Sequence, residues 1–301
     1  MPLRIGSRGS DLALTQSRTI AADIARLVGA EPEIVVVRTT GDADQGSRLA
    51  SFGGAGVFTM EIDVRQRAGE FEISVHSLKD LPTEGREGLL LGAVPPRAPV
   101  EDCLVSRSGA ELAALPSGAV VGTGSERRRA QLRRLRPDLA VTGIRGNVDT
   151  RLRKVREGEV DATFLARAGL VRLGLAAHIT QVLDVASVVP AAGQGALAVV
   201  VREGADDALA AVRALEDRAT RAEVTAERAV LAKLGGGCHL PMGVLARSDG
   251  DRLRLHARVV SPDGTRMVEE RGEARCGDAA ALGAEVGDRL VAAGARELLP
   301  S

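Results

Sequence analysis

Three short segments of this 301-residue chain combine glycine, a hydroxyl and arginine: Ile5–Asp11 (IGSRGSD), Val121–Arg129 (VGTGSERRR) and Ile144–Arg151 (IRGNVDTR). In each, an apolar run ends in glycine and a helical pattern follows. Glycine lets a ligand come close to the backbone, and a helix N-terminus offers unpaired N–H groups with a partial positive charge. Ser or Thr adds a hydroxyl. Arg adds a planar fork that meets a carboxylate or phosphate with two hydrogen bonds. One such segment reads equally as an ordinary helix cap; three in one chain point to anion sites. Arg127, Arg128, Arg145 and Arg151 stand at helix starts, where a cation opposes the helix dipole and a bound anion would offset the local cost. Across Thr123–Arg156, eleven cations face three anions, a net charge of +8. Arg133, Arg134 and Arg136 in that stretch read as a solvated helix face. No G-x-x-x-x-G-K-[ST] occurs and no spaced G-x-G-x-x-G follows a strand, so a nucleotide is not the favoured anion.

Two other places carry reactive side chains. His76-Ser77-Leu78-Lys79-Asp80 follows a buried strand, and the C-terminal ends of strands in α/β sheets are where ligands bind. Lys79 is one of only three lysines among 40 basic residues. Asp80 could steady a cationic intermediate or take part in proton transfer; the same Asp-Leu-Pro letters also spell a turn. Gly235-Gly236-Gly237-Cys238 puts a thiol on a glycine run, which reads as an exposed, modifiable cysteine. Cys103 and Cys276 lack that setting and read as passive. Three widely spaced cysteines without C-x-x-C argue against a disulfide framework or a zinc site and fit a reducing, cytoplasmic compartment. No metal site is expected.

The elements that must hold these residues follow from periodicity. Strands are expected at Leu3–Gly6, Glu33–Thr39, Phe71–His76 and Leu89–Val94, with helices at Asp11–Val28 and Thr59–Ala68. A proline-rich break, VPPRAPVED, follows. The pattern restarts with strands Ala119–Val121, Leu139–Thr142 and Ala162–Leu165 and helices Ser125–Leu135 and Asn147–Arg156. After a second break at VVPAAGQGA come a strand, Leu197–Val201, and one helix over roughly Asp206–Leu234. An inserted domain and two consecutive domains fit these breaks equally well. Beyond GGGC, strands Gly243–Ala246, Leu253–Val260 and Met267–Glu270 and a helix Ala279–Ala293 suggest a small α+β domain.

Composition narrows the function. The chain has 40 acidic and 40 basic residues and 1% aromatics, with no Trp and no Tyr. Zero net charge and the lack of stacking rings argue against a nucleic-acid binder. No leader-like or membrane-spanning apolar run is seen. A carboxylate-rich small molecule is the expected ligand. A catalyst would need Asp80 and Cys238; a non-catalytic cytoplasmic binding protein for a polycarboxylate would need neither.

The runs GSRGSDLALTQ (Gly6–Gln16), TTGD (Thr39–Asp42), VHSLKDLPT (Val75–Thr83), VGTGSERRRAQL (Val121–Leu132), IRGNVDTRL (Ile144–Leu152), LARAGLVRLG (Leu165–Gly174), PAAGQGAL (Pro190–Leu197), TAERAVL (Thr225–Leu231) and GGGCHLPMG (Gly235–Gly243) resemble the porphobilinogen deaminase family, also called hydroxymethylbilane synthases. The resemblance implies an α/β fold with two periplasmic-binding-protein-like α/β domains, one inserted in the other (1–96 with 194–215, and 100–190), plus a small C-terminal α+β domain (218–301). It implies a transferase of porphyrin biosynthesis that joins four porphobilinogen molecules head to tail with loss of four ammonia, giving hydroxymethylbilane. The implied cofactor is a dipyrromethane bound to Cys238 through a thioether. By the same resemblance, Lys79, Asp80, Ser125, Arg127, Arg128 and Arg145 hold that cofactor, and Arg8, Ser10, Arg145, Arg151 and Arg172 hold substrate carboxylates. Asp80 is implied as the catalytic carboxylate, steadying positive charge on pyrrole nitrogen. The implied partner is porphobilinogen alone, with no nucleic acid and no membrane, and the protein is expected to be monomeric. The glycine loop SFGGAGVF (Ser51–Phe58) carries Ala55 where relatives often have Lys, which leaves Arg48 as a substitute cation.

Overall fold

The computed structural model describes residues 3–37, 57–236 and 240–299. Strand β1 (Arg4–Arg8) leads into helix α1 (Asp11–Val28), then β2 (Glu33–Val37), α2 (Val57–Arg67), β3 (Ile73–Ser77) and β4 (Leu89–Ala93). The chain then builds β5 (Asp102–Ser106), β6 (Val120–Gly122), α3 (Glu126–Leu135), β7 (Ala140–Thr142), α4 (Val148–Arg156), β8 (Ala162–Ala166), α5 (Arg167–Arg172) and β9 (Gln181–Val182). It returns with β10 (Leu197–Arg202), α6 (Asp206–Arg213) and α7 (Arg218–Lys233), and ends with β11 (Met242–Asp249), β12 (Arg252–Val260), β13 (Met267–Arg275) and α8 (Ala279–Ala292).

Three sheets result, ordered β2-β1-β3-β10-β4, β7-β6-β8-β5-β9 and β11-β12-β13. β10 lies between β3 and β4, so the first sheet is completed only after the whole second sheet has been traversed. The insertion left open by the proline and glycine breaks is therefore realised. The described residues fall into two compact units. One is drawn from Met1–Ala98 and Ala196–Arg221 with Gly236, the other from Pro99–Gly195, Ala222–Gly235 and His239–Ser301. The C-terminal sheet thus shares a unit with the second sheet.

Burial explains the layers. In the first unit Ile20 and Ile24 of α1 pack on Ile5, Ile73, Val75, Val199 and Val201 of the sheet. Each such side chain, fully buried, stabilises the fold by roughly 1.5–3 kcal/mol. α1 ends at Gly29, which has φ 72° and donates its N–H to the Ala25 carbonyl, the left-handed cap that glycine tolerates best. In the second unit Leu104, Val121, Leu132, Ala162 and Phe164 form one core, and α7 and α8 cover one face of the C-terminal sheet through Ala226, Val230, Leu282 and Val286.

Three expectations need correction. The proline-rich break runs straight into β5, whose five residues are all buried. The long helix expected over Asp206–Leu234 is two helices, because the Asp217 carboxylate accepts the Thr220 N–H at 2.7 Å and starts α7 afresh. Arg133 and Arg134 are not simply solvated: Arg133 donates to the Pro262 carbonyl at 2.7 Å, and Arg134 donates to that of Gly264 at 3.4 Å. TTGD, Arg48, Ala55, Cys238 and His239 lie outside the described residues.

Candidate active site

Each five-stranded sheet gathers its site residues at the C-terminal ends of its parallel strands. In the first unit β1 and β3 are parallel neighbours. Arg8 closes β1, Ser10 stands at the N-cap of α1, and Lys79 and Asp80 occupy the 3-10 turn Leu78–Asp80 that follows β3. The Ser10 side chain makes no capping bond to its own helix. The turn is fixed by the Leu78 N–H donating to the Ala196 carbonyl at 3.0 Å, and Leu78 itself is 1% exposed. Asp80 is open to solvent, yet protein surrounds it. Desolvation pushes its carboxyl above the ordinary carboxylate value, while the Lys79 and Arg8 charges pull the other way. Desolvation is the larger effect, and the two cations only limit the rise. His76, in β3, is buried; its Nε2 lies 2.9 Å from Ser74 Oγ, whose proton goes to Gln66 Oε1. Burial, with Arg86 and Arg8 nearby, lowers His76 to about 3, so it stays neutral and serves the strand rather than proton transfer.

Gly236, the second glycine of the GGGC run, has φ 52°, and a Cβ there would lie 2.5 Å from Thr83 Oγ1. Gly236 thus lies against Thr83 of the VHSLKDLPT segment at a distance that excludes a side chain.

In the second unit the arginines follow β6, β7 and β8: Arg127 and Arg128 in the first turn of α3, Arg145 in the loop before α4, Arg151 in α4 and Arg172 at the end of α5. The loops after β6 and β7 touch: a Cβ on Gly124 would sit 3.0 Å from the Ile144 carbonyl oxygen. Ser125 caps α3, its hydroxyl accepting the Arg128 N–H at 3.5 Å. Asn147 caps α4 by accepting the Thr150 N–H at 2.9 Å. Arg127 and Arg128 are buried, at 3% and 5% exposure, and both meet Asp102, which is 0% exposed. Arg127 Nη1 donates to Asp102 Oδ2 at 2.6 Å, and Arg128 Nη2 donates to Oδ1 at 2.8 Å. Burial alone would raise Asp102; the charges and hydrogen bonds of the two guanidiniums outweigh it and hold the carboxyl below its usual range.

Arg151 and Arg172 differ. Both are partly buried, and among the described residues neither has a carboxylate partner; Arg151 Nε donates to the Gly146 carbonyl at 2.9 Å and Arg172 Nη2 to that of Gly195 at 2.8 Å. Burial lowers each to about 10, with Arg128 adding repulsion at Arg151. Arg145 is exposed at the start of the loop before α4.

The +8 stretch is therefore less bare than its letters suggest. Asp102, Glu157 and Glu159, all outside it, pair with Arg127, Arg128, Arg153 and Lys154. Asp102 is the residue that reading by sequence missed, because it sits in what looks like a linker. Gln194, within the PAAGQGAL run, also reaches it, its Nε2 donating to Asp102 Oδ1 at 2.9 Å. Cys103 is buried and pushed up to about 12 by burial, which fits a passive role.

Residues 3–210 match the family described as porphobilinogen deaminase, dipyromethane cofactor binding domain, and residues 221–292 match the porphobilinogen deaminase C-terminal domain. The porphobilinogen deaminase of Syntrophus aciditrophicus is 45% identical, covering 99% of this chain and 97% of that protein. That of Nitrobacter hamburgensis is 46% identical, over 95% and 92%. Among solved structures, the methionine binding protein MetQ aligns over 71% of this chain and 88% of its own, at 11% identity and a TM-score of 0.46. Immunogenic lipoprotein A from Vibrio vulnificus aligns over 73% and 96%, at 10% identity and 0.46. With both family descriptions matched in order and relatives near 45% identity along almost the whole chain, this chain belongs to the porphobilinogen deaminase family.

Proposed function

We propose that this chain is a hydroxymethylbilane synthase that joins four porphobilinogen molecules head to tail, releasing four ammonia, on a dipyrromethane primer attached to Cys238. The observation that carries this reading is the pair Arg151 and Arg172, partly buried cations with no carboxylate partner among the described residues. A site with surplus buried cations is stabilised by an anion. A pyrrole bearing acetate and propionate supplies one.

The residues fit a polycarboxylated primer. Ser125, Arg127, Arg128, Arg145 and Lys79 would hold its carboxylates. When bound, the primer would supply the free pyrrole α-carbon to which the first unit is joined, each later unit adding to the ring before it. The chain's own residues do the rest. Arg145, Arg151 and Arg172, with Arg8 and Ser10, bind and orient the incoming acetate and propionate. Asp80 accepts the pyrrole N–H and steadies positive charge on that nitrogen as ammonia leaves, an electrostatic role worth roughly 100–1,000-fold in rate. The charges of Lys79 and Arg8 oppose the rise of the Asp80 carboxyl and so favour the anion this role needs.

The same reading divides the chain into 1–96 with 194–215, 100–190 and 218–301 as substrate-cleft, anion-binding and primer-bearing parts. It takes the enzyme as cytoplasmic and monomeric, with no nucleic-acid or membrane partner. No described helix is long and apolar enough to cross a membrane. No specific observation favours the alternative of a non-catalytic polycarboxylate binder.

An intact-mass measurement tests the proposal. The purified chain should carry an excess equal to two porphobilinogen units less ammonia, and Cys238→Ser should lack it. A wild-type chain that stays unmodified after incubation with porphobilinogen would return the cleft to the binding-protein reading.

A further inference from the structure

Asp102 is unusual among the carboxylates described. It is 0% exposed and accepts four hydrogen bonds: from Arg127 Nη1 at 2.6 Å, Arg128 Nε at 3.1 Å, Arg128 Nη2 at 2.8 Å and Gln194 Nε2 at 2.9 Å. The guanidiniums are tied further, Arg128 Nη1 to the Phe164 carbonyl at 2.9 Å and Arg127 Nη1 to that of Val189 at 2.8 Å. β5 runs antiparallel to β8, with Asp102 opposite Ala166, so its first residue arrives where β8 ends. A strand of opposite direction thus delivers a carboxylate to the edge of the sheet that carries the arginines.

A purely structural ion pair would match charge one to one. Here one carboxylate faces two buried guanidiniums, leaving a surplus of +1. Arg127 Nε, itself buried, has no hydrogen-bond partner among the described residues. We propose that Asp102 is a positioning residue of the primer and substrate site: it clamps Arg127 and Arg128 at the start of α3 so that their remaining N–H groups are aimed at a ligand carboxylate. This rests on the reading that a carboxylated ligand occupies the second unit. It explains why a buried charge cluster is kept where replacing all its members by apolar side chains would serve stability as well.

The test uses the full chain in two forms. In the Cys238→Ser background, which takes up no primer, succinate affinity is measured by calorimetry for Asp102, Asp102→Asn and Asp102→Glu. Charge alone predicts that Asp102→Asn binds succinate more tightly, since the surplus rises from +1 to +2. Positioning predicts the reverse, with affinity down by about tenfold or more and largely recovered in Asp102→Glu, because misplacing a binding group by an ångström is costly. With Cys238 intact, primer attachment is followed by mass. Asp102→Asn should slow it by about tenfold, while Asp63→Asn, which breaks the Asp63–Arg86 pair of the first unit, should slow it little. If Asp102→Asn does not fold, Gln194→Ala takes its place, with a smaller loss expected. Tighter or unchanged succinate binding overturns the proposal. A wild-type chain that gains no mass sinks the deaminase reading instead, and the succinate measurement still decides the role of Asp102.

Discussion

The two five-stranded sheets share one plan: three parallel strands, then an antiparallel strand, then a last strand beyond it. They use a carboxylate at the same edge in opposite ways. In the first sheet Asp80 follows a parallel strand, is reached by solvent, and is raised above its usual value with Lys79 and Arg8 opposing. In the second, Asp102 begins the antiparallel strand, is sealed from solvent, and is lowered by two guanidiniums. Burial pushes both upward; the number of donors decides the outcome. A carboxylate with four protein donors has become scaffold. One with few protein partners and open access is left for chemistry.

The largest effect expected from this contrast is on turnover. Asp80→Ala should lower the steady-state rate by roughly 100–1,000-fold while the primer stays attached by mass. Wild-type turnover in that variant would remove the role given to Asp80. Asp102→Ala should instead act on folding, costing about 3–5 kcal/mol by leaving two guanidiniums without their carboxylate, read from urea unfolding. A loss below about 1 kcal/mol would mean that water or another residue takes over.

The free arginines sharpen the comparison further. Arg145 is exposed, so Arg145→Ala should change stability by less than about 0.5 kcal/mol yet raise KM for porphobilinogen. Arg151 is disfavoured in its charged form by burial, so Arg151→Met should raise the Tm of a primer-free chain while also raising KM, a trade of stability against binding. Parallel losses of Tm and activity in both variants would return these residues to a structural role.

The smallest effect is in pH dependence. The folded value of Asp102 lies below its unfolded one, so its stabilisation is present above about pH 4 and is lost as pH falls further. Asp80 has the opposite sign: its folded value lies above its unfolded one, so ionisation disfavours the fold. Asp80→Asn should therefore raise Tm at neutral pH, and the difference should close as pH falls from neutral to about 4. A difference that grows in acid would reverse the assignment.

How far these roles were legible in the sequence follows from range. α1 was read with its observed limits because its signals are local: isoleucines on one face and a glycine stop. The arginine-bearing helix starts were equally plain, since Ser125 and Asn147 act within a few residues of themselves. Asp102 was hidden because its partners lie 25, 26 and 92 residues away. Three prolines just before it made a buried strand look like a connection. The break between α6 and α7 did leave a mark, an Asp three residues before Thr220, but without glycine or proline the apolar pattern ran through it. Whether an arginine is neutralised or left over depends on such distant pairs, so the count of charges along the chain overstated the open field.

The placement of β10 between β3 and β4 also sets an order of events during synthesis. Every strand of the second sheet lies within residues 102–182, so that sheet can close as soon as its own chain has emerged. The first sheet cannot, because its fourth strand does not begin until Leu197. At roughly 5–20 residues per second of translation, β3 and β4 wait several seconds with unpaired edges. Such edges are templates for pairing with other chains. Residues 73–93 are therefore held with such edges open until β10 has been made.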